Sequence, residues 1–234
     1  MEQTEKVIQV THILEREYKS PRHFNKRNPL NELLFIVLSL RTDERIYNKV
    51  YKAFKQKYPK WSQVYVDTVA NIARSIYCGG LAMQKAERIK GVLSKIMQDF
   101  GGLSLKYIKS YDDEEMERYL VSLPGVGLKT ARCIMMYSFE REVLPVDTHT
   151  YRISQRLGLV NISIPEHKVH KLMDRIIPRD LRYSYHVNCV AHGRAICKSI
   201  SPNCDLCIIN DFCDYHCESR REELIPVLPH RNIE

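Results

Sequence analysis

Hydrophobic and polar positions follow a helical rather than a two-residue period along nearly the whole chain. Residues 4–18 set Val7, Ile8, Val10, Ile13 and Leu14 at helical spacing. Asn28-Pro29 has the form of an N-cap with proline at the first helical position, so a second helix opens there. The run that follows, LLFIVLSL at 33–40, is apolar all round. Periodicity cannot separate a buried helix from a strand in such a run, and its helical flanks make a buried helix the expectation. Thr42-Asp43 opens a third helix with a stripe of Ile46, Tyr47, Val50, Tyr51 and Phe54, closed by Pro59. A shorter helix is expected over 67–77, stopping at Gly79-Gly80, and a longer one over 82–100, stopping at Gly101-Gly102. Asp112 and Glu115 are spaced as a capping box for a helix to Val121. A turn at 123–127, a helix over 128–139 and an extended 143–146 come next. Helices over 148–157, 166–177 and 181–196 follow, broken by Gly158, Pro165 and Pro178. No alternating run is long enough to demand a strand. The expected class is all-α, with roughly ten short helices, a metal-bound loop region near the end and a polar tail.

A length of 234 residues allows one large domain or two modest ones. Hydrophobic content is 44% and the mean hydropathy is negative, as in a soluble globular protein. The longest apolar run, Leu33 to Leu40, is eight residues and too short to span a bilayer. The first nineteen residues carry acidic groups and no apolar core, so neither a secretory signal nor a membrane partner is expected, and the location is read as intracellular. A formal charge of +8 is compatible with a polyanionic partner but does not require one. Residues 19–28, KSPRHFNKRN, read as a basic linker. Residues 41–60 hold seven basic and two acidic side chains, which a solvated helix face explains as readily as a phosphate-binding one.

Cysteine distribution changes this picture. Cys78, Cys133 and Cys189 stand alone, whereas Cys197, Cys204, Cys207, Cys213 and Cys217 crowd into twenty-one residues. Without a secretory signal a disulfide framework is unexpected and a metal site is the better reading. Cys197, Cys204, Cys207 and Cys213 are spaced C-x6-C-x2-C-x5-C. Four thiolates bind zinc or an iron–sulfur cluster. Cys₄ zinc sites usually show two C-x2-C pairs, and only one is present. Cys217 reads as a bystander.

The stretch Leu123–His149, LPGVGLKTARCIMMYSFEREVLPVDTH, holds the other candidate chemistry. Gly125 and Gly127 in a turn between two helices let backbone amides approach phosphate oxygens, and the new helix adds its positive end. Such a turn grips backbone without reading sequence, and is often only a turn. Lys129 lies in the first turn of the second helix, away from the stripe of Leu128, Ala131, Ile134 and Met135. It is either a solvated cation or an amine nucleophile. Asp147, eighteen residues on, has the position of an ordinary N-cap, a role compatible with facing a substrate. His149 could contact phosphate or simply pack.

Together, LPGVGLKTA, VDTHTYR and HGRAIC-x6-C-x2-C-x5-C resemble the endonuclease III branch of the helix-hairpin-helix DNA glycosylases, firmly over about 120–213 and more loosely over 32–89. The resemblance implies a helical barrel domain carrying the hairpin over 29–143 and an iron–sulfur cluster domain of 1–28 with 144–217, leaving 218–234 as a polar tail. The catalytic pair would lie in the cleft between the domains. It implies a 4Fe–4S cluster on Cys197, Cys204, Cys207 and Cys213, a nucleophilic Lys129 and an essential Asp147. Double-stranded DNA with a damaged base or abasic site would be the partner of a monomer. DNA contacts would fall on Gly125, Val126, Gly127, Thr130 and His149, with Leu81 as the intercalating wedge and Arg41 near the place of a gap-filling glutamine. The implied activity is base excision followed by β-elimination at the abasic site. A monofunctional mismatch glycosylase and a non-catalytic DNA-binding protein of the same fold are the alternatives. Lysine at 129 sets the chain apart from the adenine-mismatch branch, which has a small or hydroxyl residue there. Two departures concern the lesion: LSLRTD is one residue shorter than the family's SAQATD-like segment, and Ala82-Met83 replaces the usual Tyr-Asn after Leu81.

Overall fold

Helices at both ends of the sequence assemble into one unit, and the residues between them form another. Met1–Pro21 joins Val146–Glu234, and Arg22–Pro145 forms the second unit. The structure, a computed structural model, describes residues 2–161 and 163–217, so the polar tail expected over 218–234 lies outside the described residues. Among these are eleven α-helices, five short 3₁₀ turns and a further helical turn at 214–217, and no strand occurs. No described helix is long and apolar enough to cross a membrane.

In the unit Arg22–Pro145 the organising element is α2 (Pro29–Ser39), with every residue from Leu33 to Leu38 buried. Asn28 caps it by accepting from the Asn31 amide at 3.0 Å, and Pro29 occupies the first turn. The all-apolar run is therefore a helix surrounded on every side. It packs on α3 (Glu44–Lys57), α6 (Ala82–Phe100) and α8 (Leu128–Phe139). On α3 the expected stripe is narrower than its spacing suggests, because Ile46 is 42% exposed. Lys55 lies 4.0 Å above the Trp61 ring and donates to the Pro59 carbonyl at 2.7 Å, so this cation of the basic face serves the end of its own helix.

Two expectations change here. The helix expected over 67–77 is the shorter α5 (Val69–Ser75) followed by a 3₁₀ turn at Tyr77–Gly79, and an unexpected helix, α4 (Trp61–Val66), precedes it. Asp67 takes the Tyr58 hydroxyl at 2.7 Å, and Thr68 accepts from the Asn71 amide at 3.2 Å to start α5. Six residues are too few for a periodicity to announce α4. The basic segment read as a linker is also packed from residue 22 onward. Arg22 donates to the Tyr137 carbonyl at 2.6 Å, and Ser138 donates to the Lys26 carbonyl at 2.8 Å. The Lys26 ammonium sits over Phe35 at 4.2 Å. Cations with long apolar stems can cover aromatic surface in this way, which composition alone reads as solvated.

Glu32 is fully buried in the first turn of α2. One carboxyl oxygen accepts the Lys26 amide at 2.5 Å and the other has no hydrogen-bond partner. Burial pushes its pKa up to about 7, against the pull of Lys26, Lys129 and Arg22. A carboxyl raised on folding stabilises the native state below its unfolded value, and that contribution is lost as pH climbs through the folded one. From 4.5 to about 7 the loss is on the order of 3 kcal/mol at about 1.4 kcal/mol per pH unit. Glu32→Gln keeps an acceptor for Lys26 and removes the titration. Its stability relative to wild type, followed by urea unfolding, should therefore grow between pH 4.5 and 7 and then level off. A difference independent of pH would contradict this.

The other described unit is built on α11 (Arg182–Ala195), which packs on α1 (Gln3–Tyr18) and α9 (Thr148–Arg156). α10 (Glu166–Ile176) contacts α1. Fully buried Tyr185 shares a hydrogen bond with Ser154 at 2.8 Å, and Thr150 meets His186 at 3.2 Å. The N-terminal helix is fastened by Lys6, which donates to the Leu157 carbonyl at 2.5 Å and pairs with Asp214 at 2.9 Å. Gly158, at φ 71°, leaves the space that Asp214 occupies; a Cβ there would lie 1.8 Å from its carboxylate.

Candidate active site and cysteine centre

α7 (Asp113–Ser122) begins with the expected capping box, Asp112 accepting from the Glu115 amide at 2.8 Å and Glu115 from the Asp112 amide at 3.3 Å. After Leu123 the chain turns and enters α8, which packs on α7. The two glycines of the turn do different things. Gly125 has φ 71° and lies against Arg88, so it needs the freedom of glycine twice over. Gly127 is extended at φ −89° and faces open space, where a backbone amide is approachable. Val126 is 5% exposed and its amide closes the turn on the Leu123 carbonyl at 3.1 Å. The first intrahelical bond of α8 runs from the Ala131 amide to Gly127. Helix geometry leaves the amides before it as donors for an anion, at the positive end of the helix. Lys129 and Thr130 stand there, both partly buried. Glu32, beneath in the same unit, feels the charge of Lys129.

Asp147 belongs to the other unit. It is the N-cap of α9, accepting from the Thr150 amide at 2.8 Å, and is itself partly buried. His149 packs against α11 at Gly193, where an added Cβ would sit 2.5 Å from its Nδ1. The Arg152 guanidinium lies 3.0 Å from that Nδ1. Burial, with smaller effects from its charged neighbours, keeps the imidazole below its ordinary range and so neutral at pH 7.

Arg41 and Leu81, far apart in sequence, line one cavity in the unit Arg22–Pro145. Both are exposed, and both hold left-handed backbone, with φ of 50° and 51°. Ala82 and Met83 line a neighbouring cavity with Tyr77, also beside Leu81.

Cys197, Cys204, Cys207 and Cys213 all line one small pocket, while Cys217 is exposed. Among the described residues no three His, Cys, Asp or Glu side chains are placed to hold a single metal ion. The thiols thus border a space rather than converge on a point. Burial, foremost, raises the Cys204 and Cys213 thiols and pushes Cys207 up to about 11. Thiols so placed ionise when a cationic group binds them.

Three residues around this centre have roles that sequence reading missed. The Arg152 guanidinium donates to the Cys197 carbonyl at 2.7 Å and the Gly193 carbonyl at 3.2 Å. Arg156 donates to the Cys197 sulfur at 3.1 Å and to the Lys198 carbonyl at 2.7 Å, and stacks 4.7 Å from the Tyr215 ring. His192 is fully buried; its pKa falls to about 4 by burial, and it lies 2.9 Å from the Tyr18 hydroxyl and 3.4 Å from the Cys207 sulfur. The two arginines are four residues apart in TYRISQR, on one face of α9. Nothing in that spacing reveals that a cysteine loop lies under the face. One short helix thereby carries Asp147 at its start and the cysteine loop along its side.

The HhH-GPD superfamily base excision DNA repair family matches residues 35–179. The chain is 33% identical over 174 residues to an Arabidopsis thaliana protein named as a DNA glycosylase, covering 74% of this chain and 59% of that one. It is 31% identical to endonuclease III of Thermotoga maritima over 84% of this chain and 87% of the relative. Among solved structures, a trapped endonuclease III–DNA covalent intermediate superposes with a TM-score of 0.81 at 27% identity, covering 94% of this chain and all of that one. A family match across most of the chain and a full-length likeness to endonuclease III agree with the all-helical fold and the hairpin: the chain belongs to the HhH-GPD superfamily of base excision DNA repair proteins, as an endonuclease III-like member.

Proposed function

We propose that this base excision repair glycosylase and abasic-site lyase uses Lys129 as its nucleophile and Asp147 as its charged partner on duplex DNA carrying a damaged base or an abasic site. The observation that carries the reading is a partly buried lysine in the first turn of the helix behind the hairpin turn, where the backbone can hold a phosphate nearby. The neutral amine of Lys129 forms a bond to C1′ as the glycosidic bond breaks and the base leaves with the bonding electrons. Ring opening gives a Schiff base. Loss of a C2′ proton then expels the 3′ phosphate by β-elimination. Asp147, fixed by its capping bond to Thr150, supplies negative charge for the cationic sugar. The hairpin amides hold the backbone, and extrusion of the nucleotide precedes chemistry. Leu81 and Arg41 probe the duplex at the vacated position; oxidised pyrimidines are the default lesion class. The test is the product formed on a duplex with one abasic site. Lyase action leaves an unsaturated aldehyde on the 3′ end, whereas a glycosylase alone leaves the site intact until heated in alkali.

A 4Fe–4S cluster on Cys197, Cys204, Cys207 and Cys213 fits the four-thiol donor set and the space it borders. When bound it ties the loop to α9 and α11; the excision steps need no electron from it. Purified protein should contain about four irons per chain and absorb near ~400 nm, and Cys207→Ser should lose both. One zinc per chain and no iron would overturn this assignment.

A further inference from the structure

Lys85 is 3% exposed, an unusual place for a lysine in a protein with so many solvated cations. Its ammonium donates to the Leu38 carbonyl at 2.9 Å, the Thr42 hydroxyl at 2.6 Å and the Gly79 carbonyl at 2.8 Å. Three protons meet three acceptors, so this lysine is committed neither to DNA nor to nucleophilic attack. Its acceptors come from the two corners that carry Arg41 and Leu81. Thr42 adds a second tie, donating to the Gly79 carbonyl at 2.6 Å. Lys85 itself is in the first turn of α6, its amide bonded to the Leu81 carbonyl at 3.0 Å. Both corners hold a non-glycine residue in left-handed backbone, a conformation that surrounding structure must maintain. The cavity between them is lined by Leu40, Arg41, Leu81, Gln84, Lys85 and Arg88.

We infer that Lys85 is a positioning residue for discrimination of the opposite strand: it clips the Leu38–Thr42 corner to the Gly79–Leu81 corner and sets the spacing at which Arg41 and Leu81 meet the base left unpaired by extrusion. This rests on the reading of Arg41 and Leu81 as duplex probes. Without the clip the catalytic lysine is untouched, but the probes lose their fixed separation. Arg41 offers only donors and Gln84 both donors and acceptors, so the cavity can answer the hydrogen-bonding edge of an orphaned base.

The test uses full-length, metal-replete protein and single-turnover nicking of an abasic site. The site is placed in single-stranded DNA and in duplexes opposite each of the four bases. Lys85→Met should slow duplex nicking by about tenfold or more, as expected when reacting groups lose alignment. It should also shrink the spread among opposite bases, while single-stranded nicking stays within roughly threefold. Equal losses on single-stranded and duplex substrates, or no loss on either, would overturn the proposal. Thr42→Val removes the second tie and keeps the question open to test if Lys85→Met does not fold; the same selective loss is expected. Leu81→Ala, run in parallel, separates the two ideas. If it leaves duplex nicking unchanged, the probe reading fails; if it slows duplex nicking and Lys85→Met does not, the clip alone fails.

Discussion

Replacing Lys129 by glutamine should abolish nicking at an abasic site, lowering the single-turnover rate by at least about 10³-fold while DNA affinity changes by no more than about threefold. The size of the effect follows from the chemistry. An amide nitrogen has no basic lone pair to attack C1′, and no neighbouring group in the hairpin replaces it. Little else should change. Glutamine and lysine have nearly equal helix propensity, and Lys129 is not among the buried core side chains of α8. The hairpin amides proposed to hold phosphate are backbone, so binding should survive. Equilibrium binding to a duplex with an uncleavable abasic analogue, beside single-turnover nicking, measures both halves of the expectation. A variant that nicks at more than a tenth of the wild-type rate would remove Lys129 from the nucleophile's role.

Asp147→Asn separates the capping bond of this side chain from the catalytic role we propose for it. Asparagine caps a helix about as well as aspartate, so the bond to the Thr150 amide persists and unfolding stability should stay within about 0.5 kcal/mol. The charge proposed to stabilise the cationic sugar is lost, and the rate of nicking should fall about 10²-fold. Asp147→Ala should lose the same activity and about 1 kcal/mol of stability besides. If Asp147→Asn retains wild-type rates while Asp147→Ala is destabilised, the aspartate is a cap and nothing more.

Most of the fold could be read from the chain because its helices carry their own punctuation. Asn28-Pro29, Asp112 with Glu115, Gly101 and Asp147 mark ends that the structure places within a residue or two of expectation. α8 runs over 128–139 as expected. What escaped was decided by tertiary contact. α4 is too short to show a period, and its start depends on Lys60 and Gln63 bonding within one turn. Lys26 and Lys55 looked like solvent-facing charge, and both lie over aromatic rings. The same limit applies at the site. LPGVGLK and the cysteine spacing are contiguous signals, and both were legible. Lys85, Arg152, Arg156 and His192 act by reaching segments distant in sequence, and nothing in their own neighbourhoods reveals their partners.

In the proposed mechanism Lys129 forms a covalent bond to the DNA sugar. Borohydride reduction during reaction with abasic-site DNA, followed by proteolysis and mass mapping of the cross-linked peptide, tests it directly. The expected result is one adduct, reduced onto the Lys129 side chain in the peptide that follows the hairpin turn. An adduct on another residue, or none from nicking-competent protein, would contradict the account.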